Sequence, residues 1–159
     1  MFDYQILCEP DGKTPRALAA PDSSENLVIA APSQAEARQL WQLEPCIGVD
    51  DHSNAIIAFY LVNKETGQVA QAPVNADGTA KPDTQGVTQA SKDHPGVFSP
   101  VRTWTLDRHG MGFAIRPLGN EHQNLNAWGG DPAVGTPVGI YRWKDGQENE
   151  VWGIKAIGA

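Results

Sequence analysis

Positive charge is scarce in this sequence. Its 12 lysines and arginines stand against 19 aspartates and glutamates, for a net charge of -7. The few cations are scattered, so there is no electrostatic footprint for nucleic acid or an anionic membrane surface. Cysteine is equally sparse. Cys8 and Cys46 are the pair, which fits free thiols in a reducing compartment; their spacing carries no disulfide signature and leaves a bridge open. Long apolar runs are missing, so no segment is expected to span a bilayer. The opening Met1–Pro10 has no basic stretch and does not read as a secretory signal. No Asn-x-Ser/Thr acceptor occurs. These absences together point to a cytoplasmic placement, with the nucleus also open.

Catalytic motifs are absent too. His52, His94, His109 and His122 stand singly in polar stretches, without metal-ligand spacing. There is no Gly-x-Ser-x-Gly elbow and no phosphate-cradling glycine loop ahead of a helix. Gly129-Gly130 follows one strand pattern and leads to another, so it is a hairpin turn. The expectation is a non-enzyme without metal or cofactor.

What the sequence does have is turns. Among 159 residues are 16 glycines and 12 prolines, and Leu-rich helical stretches are lacking, which favours an all-β, turn-dense architecture. The length suits one domain, residues 1-159, with a core of its own. Alternating apolar runs bounded by turn residues read as strands. Phe2–Cys8, Arg16–Ala20, Leu27–Ala31 and Gln39–Leu43 form a first set. Pro10-Asp-Gly, Pro21-Asp-Ser-Ser and Pro32 punctuate it, with one helical turn within Ser33–Arg38. After the polar break Val49–Asn54, a second set follows at Ile56–Val62, Gln68–Ala72, Val87–Ala90 and Val101–Leu106, interrupted by loops at Pro73–Gln85 and Ser91–Pro100. Surface loops of this kind cost little closure entropy. The third set is Gly112–Arg116, Leu125–Trp128, Val138–Trp143 and the apolar ending around Trp152.

Each set has four strands and a late tryptophan: Trp41, Trp104 and Trp152. No set is large enough to bury its own apolar face, so the three must close a common barrel. The fold expected is a β-trefoil of three four-stranded repeats, roughly 1-48, 54-108 and 110-159, with pseudo-threefold symmetry and the three tryptophans in its core.

Several segments also resemble a known family. Gln39-Leu-Trp41 is similar to the Gln-x-Trp signature of ricin-B-type (R-type) lectin trefoils. Leu125-Asn-Ala-Trp-Gly-Gly, with Gly135-Thr-Pro-Val-Gly-Ile-Tyr-Arg-Trp, resembles a conserved segment of that superfamily. Leu61–Gln68 and Val28–Trp41 resemble the Euonymus-lectin-like branch. The resemblance implies a glycan-binding trefoil without catalysis. The chain departs from the pattern in places: Asn126 stands for the family's sugar-binding Asp, and Arg102-Thr-Trp104 and Glu150-Val-Trp152 replace two Gln-x-Trp signatures.

A sugar offers a C–H face and hydroxyl pairs, so its site needs an aromatic plane and short polar groups that donate and accept. Tyr141 is the candidate plane and Asn126 the candidate polar partner, with Asp131, Lys144 and Asn149 on adjoining loops. Tyr141 can equally be an ordinary strand residue and Asn126 a turn-former. Trp128 and Trp143 can serve as packing or platform, and Glu150 can simply bond backbone. The expected partners are glycans or glycoproteins, bound in a shallow site of the third repeat. Avidity would come from a homo-oligomer or from multivalent ligands. The competing reading is a protein-interaction trefoil, such as a protease inhibitor acting through loops 73–85 and 91–100.

Overall fold

Trp41, Trp104 and Trp152 lie at 0% exposure, and the thirteen strands of the described residues are arranged about them. The computed structural model describes residues 1–21 and 26–158. Its first repeat holds β1 (Asp3–Cys8), β2 (Arg16–Ala19), β3 (Val28–Ala30) and β4 (Trp41–Val49). The second holds β5 (Ala55–Asn63), β6 (Val69–Gln71), β7 (Thr84–Gln85), β8 (Thr88–Ala90) and β9 (Trp104–His109). The third holds β10 (Gly112–Pro117), β11 (Gln123–Asn126), β12 (Gly139–Arg142) and β13 (Gly153–Ile157).

Six strands close a ring. β1 pairs β4, β4 pairs β5, β5 pairs β9 and β9 pairs β10, all antiparallel. A Phe113–Trp152 bridge joins β10 to the residue before β13, and β13 returns to β1. Closure leaves no long unpaired edge in the ring. Three hairpins, β2–β3, β6–β8 and β11–β12, lie outside it. Their inward residues, among them Leu18, Ile29, Ala70, Leu125 and Ile140, complete the apolar core with the tryptophans.

The symmetry reaches individual hydrogen bonds. Trp41, Trp104 and Trp152 each face an aromatic of the first strand of their repeat: Tyr4, Phe59 and Phe113. Their indole N–H groups donate to the carbonyls of Leu18, Ala70 and Leu125 at 3.0, 3.0 and 2.9 Å. Two residues further on, Ala20, Ala72 and Ala127 donate to the carbonyls of Arg38, Val101 and Asn149 at 2.9, 2.8 and 2.8 Å. A buried indole needs an acceptor, and each repeat supplies the same one. The chain is a β-trefoil.

Some boundaries differ from the sequence reading. The helical turn forms at Ala37–Gln39, later than expected. β4 runs on to Val49, and Asp50 then closes the turn by accepting from the backbone N–H of His52 and Asn54. The strand expected at Leu125–Trp128 is shifted to Gln123–Asn126, because Gly129 and Gly130, at φ of 67 and 71°, turn the chain after Ala127. The end of loop 73–85 is not loop but β7, which pairs β12. Residues Asp22–Ser24 of the expected Pro21–Ser24 turn lie outside the described residues. Cys8 and Cys46 are free thiols, and burial pushes Cys8 up to about 12. Among the described residues, no helix is long and apolar enough to cross a membrane.

Candidate functional site

The threefold bonding pattern lets the repeats be compared position by position. The residue after the carbonyl that accepts the indole is Ala19, Gln71 and Asn126 in turn. The hairpin registers pair Leu18 with Ile29, Ala70 with Gln89 and Leu125 with Ile140. The next residues, Ala30, Ala90 and Tyr141, are therefore equivalent. Three residues before each tryptophan stand Arg38, Val101 and Asn149. Only the third repeat combines an aromatic with two short amides. In the second, the side-chain Oε1 of Gln71 is occupied by a 2.8 Å bond from Arg102 Nε.

The residue two before each tryptophan holds the loop that follows the hairpin. Gln39 donates to the Ala31 carbonyl and accepts from Ser33 N–H, both at 2.8 Å. Arg102 donates to the Ser91 carbonyl at 3.1 Å and to Asp93 Oδ1 at 3.0 Å. Glu150, 1% exposed, accepts from the backbone N–H of Lys144 and Gly146 at 2.9 Å and of Gln147 at 3.3 Å. Glutamine, arginine and glutamate thus close equivalent loops by different hydrogen bonds. In the third repeat this fixes the backbone of residues 144–147 beside Tyr141.

A cavity of about 310 Å³ opens there, small by the standard of ligand sites. Asn126, Tyr141, Lys144 and Asn149 all line it. Asn126 is 5% exposed, and its Oδ1 accepts from Asn149 Nδ2 at 3.4 Å. The half-buried Tyr141 ring meets Trp128 edge to face, with centroids 5.9 Å apart and planes at 82°. The Lys144 ammonium lies 5.0 Å from the Tyr141 centroid, and the Arg142 guanidinium carbon lies 5.7 Å from it. Among the expected residues, the cavity therefore holds an aromatic plane, two amides and one ammonium.

Asp131, the fifth residue expected, does not line the cavity. The double-glycine turn carries it away, and its Oδ1 accepts from Ala133 N–H at 2.9 Å within its own turn. Trp128 and Gln147 line the cavity instead. Trp128, open to a packing or a platform reading in the sequence, packs edge to face on Tyr141 and also lines the cavity. Nothing in the sequence around Gln147 marks it. Trp143 packs elsewhere, against His109 at 5.1 Å and under Arg116 at 5.3 Å.

The second repeat braces this hairpin from outside. β7 lies so close to Gly139 that a β-carbon there would stand 2.6 Å from both the Thr84 carbonyl oxygen and Trp128. Asp83 accepts from Arg142 N–H and Gln123 Nε2, both at 3.2 Å, and pairs with the Arg142 guanidinium. That guanidinium bond holds the Asp83 carboxyl below its ordinary value of 3.8. Among the described residues, no group of three histidine, cysteine or acidic side chains is placed to hold a metal ion.

No family model and no curated protein matches the sequence, but solved structures do. A designed three-fold symmetric protein, ThreeFoil, is 19% identical with a TM-score of 0.73, covering 98% of this chain and 99% of its own. The C-half of an earthworm R-type lectin, in complex with GalNAc, is 15% identical with a TM-score of 0.65 over 99% of this chain and all of its own. The Macrolepiota procera ricin B-like lectin, in complex with lactose, is 18% identical with a TM-score of 0.67, covering 96% and 94%. The chain also spans 33% of a Clostridium perfringens endo-β-galactosidase, at 11% identity and a TM-score of 0.71 over 99% of this chain. The fold defined by these likenesses is the β-trefoil.

Proposed function

We propose that this chain is a carbohydrate-binding, non-catalytic lectin that holds a glycan in the cavity of its third repeat. One observation carries the reading: of three equivalent positions, Ala30, Ala90 and Tyr141, only the third has an aromatic, and there Asn126 and Asn149 meet beside it. A ring plane with adjacent amides matches the C–H face and hydroxyl edge of a sugar. The sugars bound by the earthworm and Macrolepiota lectins support the same class of ligand. The Euonymus-like assignment rests on the sequence resemblance alone. Cytoplasmic placement belongs to the proposal and is supported by the two free thiols.

Tyr141→Ala, screened beside the unaltered protein on a glycan array, is the test. A coherent set of related glycans bound by the parent and lost in the variant, with thermal unfolding unchanged, upholds the site. Glycan binding that survives the substitution refutes it. A blank array from folded protein turns attention to loops 73–85 and 91–100. Both are tied to the body, the first by Asp83 and the second by Asp93, which accepts from Ser99, Tyr60 and Arg102.

A further inference from the structure

We infer that the third-repeat cavity selects a glycan bearing an acidic group, a carboxylate or a sulfate ester, and that Lys144 is the residue that meets it. This rests on the carbohydrate-binding reading and adds the charge of the ligand to it.

Two charged side chains line the cavity, Lys144 and Glu150. Glu150 is buried, and both its oxygens are taken by backbone N–H groups, Oε1 by Lys144 and Oε2 by Lys144, Gly146 and Gln147. Its acceptor oxygens are occupied within the loop and are not open to a ligand. Lys144 is exposed, and its ammonium has no carboxylate partner among the described residues. Its contact is with the Tyr141 ring.

The neighbouring carboxylates are otherwise placed. Asp131 is bonded in its own turn, and Asp83 is paired with Arg142. Glu148 lies against the first repeat, where a β-carbon on Gly12 would be 3.6 Å from its Oε1. Asp145 is exposed and does not line the cavity. Asn126, beside Asn149 in the cavity, is a neutral amide. An aspartate there would add a second carboxylate beside Glu150; the amide leaves Lys144 as the charged side chain in the cavity whose hydrogen-bonding group faces a ligand.

Two consequences follow for a ligand. A neutral sugar stacking on Tyr141 must share the ring with the ammonium. An acidic sugar exchanges that cation–π contact for a charge-assisted hydrogen bond, the stronger of the two at an exposed site. The chain's net charge of -7 opposes this only weakly, because carboxylates beyond about 8 Å are screened at physiological salt.

The test is titration of the full chain, at physiological ionic strength, with lactose, 3′-sulfolactose and 3′-sialyllactose, repeated on Lys144→Gln and Lys144→Arg. At least one acidic sugar should bind about fivefold tighter than lactose. Lys144→Gln should bring that ratio close to one, and Lys144→Arg should keep it. If lactose binds as tightly as both acidic sugars, or the ratio survives Lys144→Gln, the inference is wrong while the lectin reading stands. If none of the three binds and the glycan array is blank, the lectin reading itself has failed and takes the inference with it.

Discussion

Trp152 donates its indole N–H to the carbonyl of Leu125 at 2.9 Å, and Leu125 immediately precedes Asn126 in the candidate site. A core residue thereby sets the position of the buried amide that lines the cavity. Trp152→Phe removes the bond and leaves a buried carbonyl unmet, a cost of about 1–3 kcal/mol. Trp41→Phe should cost about as much through Leu18. Urea unfolding should show similar losses for both, and only Trp152→Phe should also weaken glycan binding.

Glu150→Ala deprives three backbone N–H groups, those of Lys144, Gly146 and Gln147, of their acceptor. Bonds to a charged acceptor contribute about 1.5–3 kcal/mol each, and water replaces part of this once the loop opens. The expected result is a loss of about 3 kcal/mol and abolished glycan binding. Glu150→Gln keeps one acceptor oxygen and should fall between. Denaturant midpoints together with glycan titrations measure both effects.

Asn126→Asp restores a charged acceptor beside Asn149. Charge-assisted bonds are about twice as strong as neutral ones, so neutral galactosides should bind more tightly to this variant. Acidic glycans should bind less tightly, because the new carboxylate neutralises Lys144. Opposite changes for lactose and 3′-sialyllactose in one calorimetric series are the expected readout.

Gly139→Ala places a methyl 2.6 Å from the Thr84 carbonyl oxygen and 2.6 Å from Trp128. Backbone on one side and a ring on the other leave it no room, and overpacking of this kind costs about 1–3 kcal/mol. Displacement of Trp128 should also change the intrinsic fluorescence and reduce glycan affinity.

Acid should weaken the fold through two aspartates. Burial raises the Asp93 carboxyl, but hydrogen bonds from Ser99 and Tyr60 and the charge of Arg102 outweigh it and hold the group below 3.8. Asp83 is held below 3.8 chiefly by its bond from Arg142. A carboxyl with a lower pKa folded than unfolded stabilises fully above the unfolded value and loses that contribution as pH falls through the folded one. Urea midpoints should therefore begin to drop as pH falls below about 4. Asp93→Asn should be less stable at neutral pH and show a shallower acid decline.

The strands were legible because one face of each is buried, and burial writes a period of two into the residues. The late tryptophans were legible as core because such a large side chain recurs at the end of each four-strand set. Tyr141 and Asn126 stood out for a different reason, the resemblance of the segment around them. Asp131 was misplaced because two positive-φ glycines reverse the chain, and their geometry has no signature beyond the glycines themselves. β7 was missed because two residues are too short to show alternation; its pairing depends on Gly139, far along the chain.

The sequence by itself determined the β-trefoil, since apolar alternation and three closing tryptophans leave three small repeats no way to bury their faces except together. Tertiary structure decided what surrounds the candidate site of the third repeat and how its two charged side chains differ. Ala30, Ala90 and Tyr141 are equivalent only once the hairpin registers are known. Glu150 and Lys144 lie close in sequence with opposite charges, yet one is buried and saturated by backbone N–H groups and the other faces Tyr141. Their difference comes from burial, Glu150 at 1% exposure inside the loop and Lys144 exposed, and burial depends on how the loop packs rather than on residue order.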